Sequence, residues 1–166
     1  SDTATTTQAD TISALATAVV YNVSGTAAEI VAASAAARNE AVNITITDDA
    51  TIAQATTAED ATNSGTVTVA TITDTAANIT ASTNAVITNS AGAVTASDTA
   101  TVAQATTIDA LAKAVVFAVS DTAAAIAAST SDALDEATTV TASDTATTAQ
   151  ADTISALATA VVYNVS

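Results

Sequence analysis

Aspartate is the residue of this chain whose spacing could do chemistry. Asp2, Asp48, Asp74, Asp98, Asp121 and Asp144 each follow a Ser or Thr, and Asp49 follows Asp48 directly. Carboxylates that recur at a near-constant interval, among hydroxyls and backbone carbonyls, are the hard oxygen ligands of which Ca²⁺ takes roughly six to eight. Stacking of such repeats would bring equivalent carboxylates near one another, where they repel unless capped, spaced or bridged by a cation. The same residues have a plainer use. A carboxylate just before a helix accepts backbone N–H bonds and meets the positive end of the helix dipole, for about 1 kcal/mol. Gly25 stands where one repeat would carry Asp. Neither a glycine-rich calcium nonapeptide nor an EF-hand loop is present. Capping alone and capping with Ca²⁺ at Asp48, Asp49, Asp74, Asp98, Asp121 and Asp144 both stay open, with Asp48-Asp49 the densest oxygen pair.

Other chemistries lack their parts. The chain has no His and no Cys. An activated Ser or Thr needs a base beside it. Lys113, the one lysine in the chain, takes a place filled by Thr17 and Thr159 in sister repeats, which reads as a solvated surface position. The paired carboxylates Asp48-Asp49 and Asp135-Glu136 are sequence neighbours, the mark of an exposed turn or helix end, and the aromatic platforms of a glycosidase are missing. The expectation is that the protein is not an enzyme.

Repetition positions the aspartates. Residues 1–24 and 143–166 are identical at 23 of 24 positions, Thr7 against Ala149 being the difference, so the long period is 142 residues. This text reads as a window of a longer array. Within it Gln8, Gln54, Gln104 and Gln150 recur at separations of 46, 50 and 46. The Ser/Thr-Asp/Gly step starts at 1, 24, 47, 73, 97, 120 and 143, spaced by 23, 23, 26, 24, 23 and 23. Each half-repeat of about 23 residues reads alike. An alternating apolar segment comes first (Tyr21-Asn22-Val23, Ile44-Thr45-Ile46, Val94-Thr95-Ala96, Phe117-Ala118-Val119), which is a strand pattern. The Ser/Thr-Asp capped turn follows. An Ala-rich run closes the unit, with Val102, Ala105, Ile108 and Leu111 on one helical face. Two kinds of half alternate, one with a longer, more apolar strand (114–120, 160–166) and one with a shorter, more polar strand (42–47, 139–143). Together they make a unit of about 47 residues. In the half with the longer strand the helical run is shorter, around Ile126.

A strand, a capped turn and a short helix in 20–29 residues is the arithmetic of an α/β solenoid. One coil could hold one strand and one helix, or two of each. Residues 63–65 read as a loop insertion and 84–92 as a second irregular stretch. With no Pro and 3 Gly, no linker divides the chain, and a single continuous array over 1–166 is expected.

Composition agrees. Hydrophobic residues make up 49%, mostly Ala, and the aromatics are Tyr21, Phe117 and Tyr163. Small side chains suit a narrow interior between close backbone layers better than a broad core. Two basic against 17 acidic residues give a net charge of −15, which argues against nucleic acid and anionic membrane surfaces. No run approaches the about 18 apolar residues of a membrane span.

Two further patterns draw attention. Thr45, Thr71, Thr95 and Thr141 should face outward on successive strands, as in a flat threonine array that binds ice. Asn22, Ala118 and Asn164 break the column, and Thr is in any case a good solvent-facing strand residue. Asn-x-Ser/Thr triplets begin at Asn22, Asn43, Asn78 and Asn164, as expected by chance in Ser/Thr-rich text.

The text VTASDTATVAQATTIDALAKAVVFAVSDTAAAIAAS, residues 94–129, resembles repeats of giant exported or cell-surface, adhesin-like proteins of cyanobacteria and related bacteria. The resemblance covers essentially the whole chain but carries no site motif. It implies secretion to the extracellular space or cell surface, a structural or adhesive role and calcium dependence. The expected function is therefore a segment of a fibre, filament or surface layer whose partner is another copy of itself. The alternative is an adhesin module displaying loops 63–65 and 84–92 to a surface or glycan.

Overall fold

The computed structural model describes residues 2–89, 92–129 and 132–166. It is an α/β fold in which parallel strands alternate with helices, an arrangement consistent with a solenoid. The chain forms two compact units. The first comprises residues 1–73 and 83–94, the second 74–82 and 95–166.

The first unit begins with β1 (Thr3–Ala4) and α1 (Thr6–Ser13). Next come β2 (Asn22–Gly25), α2 (Ala27–Ala32) and α3 (Ala35–Glu40), then β3 (Ile44–Ala50) and α4 (Ile52–Glu59). It ends with β4 (Val67–Asp74, whose Asp74 belongs to the second unit) and, after α5 (Ala76–Ala81) of the second unit, α6 (Asn84–Thr88). The second unit continues through β5 (Val94–Ala100, whose Val94 belongs to the first unit), α7 (Val102–Asp109), β6 (Val115–Asp121), α8 (Ala123–Ala127) and α9 (Ala133–Glu136). It closes with β7 (Val140–Ala146), α10 (Thr148–Ser155) and β8 (Val161–Val165).

Pairing register counts the strands per coil. Val23 pairs Ile44, which pairs Val67, and Val119 pairs Val140, which pairs Val161. Each step is 21 or 23 residues, so one coil holds one strand. Val23, Ile44 and Val67 form one buried ladder, and Ile46 and Val69 continue the inward face beside it. Each fully buried Val or Ile contributes about 1.5–3 kcal/mol of apolar transfer. The helices close the coil with Ile30 and Ile87 in the first unit and Ile79, Ile108, Ile126 and Ile154 in the second, all buried. Alanine fills the rest: Ala4, Ala50, Ala100 and Ala146 end their strands buried, and Ala9, Ala55 and Ala105 face inward from helices. With so little side-chain volume the layers lie close, which is why the interior needs almost no aromatics.

The two kinds of half-repeat are two kinds of coil. One carries a single eight-residue helix (α1, α4, α7, α10). The other carries two short helices in place of the single shorter run the sequence predicts. After α2 the backbone turns extended at Ala33, and Ser34 then caps α3. The long helix of one coil packs on one short helix from each neighbour: α2 and α6 on α4, α5 and α9 on α7. The face expected from Val102 to Leu111 ends early, because α7 stops at Asp109 and leaves half-buried Leu111 outside it.

The threonine column is rearranged as well. Thr45 pairs Ser24 and Thr68, not Thr71, because the offset between β3 and β4 is 23 residues there; Thr71 pairs Asp49 beyond a register shift. Thr141 lies between Ser120 and Val162.

Candidate functional site

The aspartates divide into two classes by what their oxygens accept. The predicted capped turn places each Asp before its own helix, and this needs correcting. The helix N-cap after each strand is a threonine: Thr5, Thr26, Thr51, Thr75, Thr101, Thr122 and Thr147. In the single-helix coils of α4, α7 and α10 the aspartate lies inside the strand, and its carboxylate reaches the preceding coil. Asp48 Oδ1 accepts from Ala27 N at 2.6 Å, Asp98 Oδ1 from Ala76 N at 2.7 Å and Asp144 Oδ1 from Ala123 N at 2.6 Å. Ala27, Ala76 and Ala123 are the first residues of α2, α5 and α8, whose leading N–H groups have no partner within the helix. The carboxylate of one coil thus caps the helix of another. The strands have the slack for it: register shifts between Ile46 and Asp49 and between Thr141 and Thr145 bracket Asp48 and Asp144.

In the two-helix coils the aspartate also bonds the N-cap threonine of its own helix. Asp74 Oδ1 accepts from Thr75 N at 2.8 Å and from Asn78 Nδ2 at 2.7 Å. Asp121 Oδ1 accepts from Thr122 N at 2.8 Å, while its Oδ2 accepts from Val102 N, the first residue of α7, at 3.0 Å. In the coil where Gly25 replaces Asp, Glu29 takes over: its Oε2 accepts from Thr26 N at 2.8 Å and from Thr26 Oγ1 at 3.0 Å. Those bonds, the backbone N–H first, hold the Glu29 carboxyl below the usual carboxylate range.

The expected oxygen pair is split. Asp48 is bonded toward the coil before it, whereas Asp49 Oδ1 accepts from Thr71 Oγ1 of the coil after it, at 2.9 Å. Among the described residues no group of three or more Asp, Glu, His or Cys gathers closely enough to hold a metal ion. Among them, too, no helix is long and apolar enough to cross a membrane.

Three sets of polar residues escape the sequence reading. Gln8, Gln54, Gln104 and Gln150, which mark the repeat, complete capping boxes: each Oε1 accepts from the N-cap Thr N–H at 2.8–2.9 Å, and each Gln N–H donates to the Thr Oγ1. The Thr-x-x-Gln spacing was the available signal. Asp10, on the last turn of α1, accepts from Ser34 N at 2.9 Å, which lowers its pKa, and no spacing in the text foretells that partner. Arg38 Nη1 donates to the carbonyls of Ile30, Val31 and Ala33 at the end of α2.

The loop at 63–65 is held down. Asn63 Nδ2 and Gly65 N both donate to Val42 O, at 2.9 and 2.8 Å, and Thr66 N donates to Asn43 Oδ1 at 2.9 Å. Asn43 Nδ2 donates in turn to Asn22 Oδ1 at 2.9 Å, so a polar ladder links three coils. Of the second irregular stretch, 84–88 is α6; Asn89 donates to Glu59 at 2.8 Å, and Ser90 and Ala91 lie outside the described residues. Two triplet asparagines, Asn22 and Asn43, are thus engaged in the ladder, and Asn78 bonds Asp74.

One end of the first unit is open. A groove of about 520 Å³ runs along α1 beside β1, lined by Asp2, Thr3, Gln8, Ile12, Val20 and Tyr21 among others. No protein-family model matches the chain, and no match was found among curated proteins or solved structures.

Proposed function

We propose that the chain is a structural solenoid segment of an extracellular fibre, filament or surface layer, extended by stacking coils and associating with further copies of itself. The observation that carries this reading is the cross-coil carboxylate cap. At Asp48, Asp98 and Asp144 the charged side chains are spent on joining one coil to the next. Stability in such an array accumulates coil by coil through nearest-neighbour contacts. The pinned loop at 63–65 supports a spacer role over display of a binding loop. The net charge of −15 suits an exposed, soluble surface and requires lateral packing to involve cations or spacing.

Calcium enters as the variable that the test reads. Negative-stain electron microscopy of the native material, with and without a chelator, is expected to show uniform fibres that survive chelation, because a backbone N–H already occupies one oxygen of each coil-joining carboxylate. Fibres that dissolve on chelation would make calcium part of the mechanism. Compact particles in both conditions would refute the filament reading.

A further inference from the structure

One joint between coils lacks a carboxylate that its sister joints have. Asp48, Asp98, Asp121 and Asp144 each reach back one coil and accept from the leading N–H of a helix there, on Ala27, Ala76, Val102 and Ala123. In α1 the corresponding N–H belongs to Thr6, and the corresponding position of the next coil is Gly25. A leading N–H has no partner inside its own helix. The side-chain bonds at this end of α1 join Thr5 to Gln8, and none reaches Thr6 N. Thr6 is nonetheless buried, the one buried polar residue among the described residues.

Glu29 restores half of what a carboxylate at this position does elsewhere. Asp121 serves two coils: Oδ1 accepts from Thr122 N of its own coil and Oδ2 from Val102 N of the coil before. Glu29 accepts from Thr26 N and Thr26 Oγ1, both in its own coil and both through Oε2. The backbone does not call for glycine, since among the described residues none has a positive φ. A Cβ at Gly25 would meet side-chain atoms of Glu29 and Thr6 at 3.1–3.3 Å and no main chain. What the glycine does is take away the group that would face Thr6 N.

We infer that the joint between the α1 coil and the following β2–α3 coil is a hinge built into the array, with its free side at Thr6 and Gly25. The inference rests on the cross-coil cap of the proposed function and says where that cap is withheld. In a stack whose stability is a sum of nearest-neighbour terms, a joint short of one term opens more often. A cap of this kind shifts a local opening equilibrium about fivefold. Another part of the joint stays fastened, because Asp10 Oδ1 accepts from Ser34 N across it at 2.9 Å. A joint fastened at Asp10 and loose at Thr6 pivots instead of separating.

The sister text supplies the test. SGTAAEI at 24–30 and SDTAAAI at 120–126 differ at two positions. Gly25→Asp with Glu29→Ala writes the capped joint into the loose place. Asp121→Gly with Ala125→Glu writes the loose joint into the capped place. Amide hydrogen exchange of the full chain, read residue by residue by NMR, compares both with the parent. The first variant is expected to slow exchange at Thr6 N–H and along α1 about fivefold and leave α7 unchanged. The second is expected to speed exchange at Val102 N–H and along α7 about fivefold and leave α1 unchanged. Gly25→Asn keeps Glu29 and offers an uncharged acceptor, so it should slow α1 by a smaller factor, and it carries the test if the double variant does not fold. An α7 that loosens beside an α1 unmoved by either change at Gly25 would overturn the hinge and leave the cross-coil cap standing. An α7 that does not loosen would show that the cap joins nothing, and would overturn the hinge together with the observation on which the structural reading rests.

Discussion

Gly65→Ala is expected to destabilise the protein by about 2 kcal/mol, while Gly25→Ala leaves it unchanged or slightly more stable. Among the described residues no glycine has a positive φ, so alanine can adopt the backbone at either position. Such a replacement ordinarily stabilises by about 0.4–1 kcal/mol, because the unfolded chain loses freedom. The difference lies in what the new methyl group meets. At Gly65 a Cβ would stand 2.3 Å from Asn43 Oδ1 and 2.5 Å from Val42 O, against 3.4 Å or more for ordinary contact. Neither oxygen can retreat freely. Val42 O is main chain and accepts from Gly65 N and Asn63; Asn43 Oδ1 accepts from Thr66 N and Oγ1. Overpacking of about 1–3 kcal/mol plus about 1 kcal/mol for a weakened hydrogen bond outweighs the entropic gain. At Gly25 the nearest atoms are Glu29 Oε2 at 3.1 Å, Thr6 Cγ2 at 3.2 Å and Glu29 Cβ at 3.3 Å; none is main chain, and each need give only a few tenths of an ångström, against more than 0.8 Å at Gly65. For a chain of this size the Gly65 change corresponds to a Tm lower by roughly 4–8 °C, read by circular dichroism and cross-checked by urea midpoints. A Gly65→Ala protein as stable as the parent, or a Gly25→Ala protein that loses as much, would refute the close coil-to-coil approach from which the estimate is made.

Asp98→Ala should lower stability by about 1 kcal/mol, the value of an exposed helix cap, with Asp98→Asn losing less because an amide oxygen can still accept from Ala76 N; urea midpoints compare the two. Thr101→Ala removes the hydroxyl that accepts from Gln104 N at 3.2 Å, while the backbone N–H of residue 101 keeps its bond to Gln104 Oε1, and should cost about 1 kcal/mol in the same assay. Tyr21→Phe removes the buried bond from Tyr21 Oη to Ala37 O at 2.8 Å, for about 1 kcal/mol near neutral pH. Burial first, then the charges of Glu40 and Asp10, raise the Tyr21 pKa above the ordinary value near 10. The stability tied to its neutral form is present below that value and is lost as pH rises through the higher folded value, so Tyr21→Phe should flatten the alkaline limb of a Tm–pH profile. Glu29 and Asp10 have lowered values, so their contributions are present above the ordinary carboxylate range and are lost as pH falls through the folded values. Glu29→Gln with Asp10→Asn should flatten the acid limb, and an unchanged limb would refute those assignments.

Local pattern was enough for the building blocks. The 23-residue beat placed strands at Ile44, Val94, Phe117 and Val161 and helices after them, because β-branched alternation and Thr-capped Ala runs act within a few residues. The absence of His, Cys and a basic surface was equally legible. Tertiary structure alone decided the rest. It set one strand per coil, broke the helical run of alternate coils into two helices, and turned Thr45 toward Thr68 instead of Thr71. It also divided Asp48 from Asp49 and sent Asp48, Asp98 and Asp144 to helices about 21 residues earlier in the chain. A carboxylate's type is written in the sequence, but its donor is whichever N–H the stacking register brings within reach. That register is chosen by the packing of Val, Ile and Ala between coils, where a shift of one residue would turn the apolar ladder out of the core.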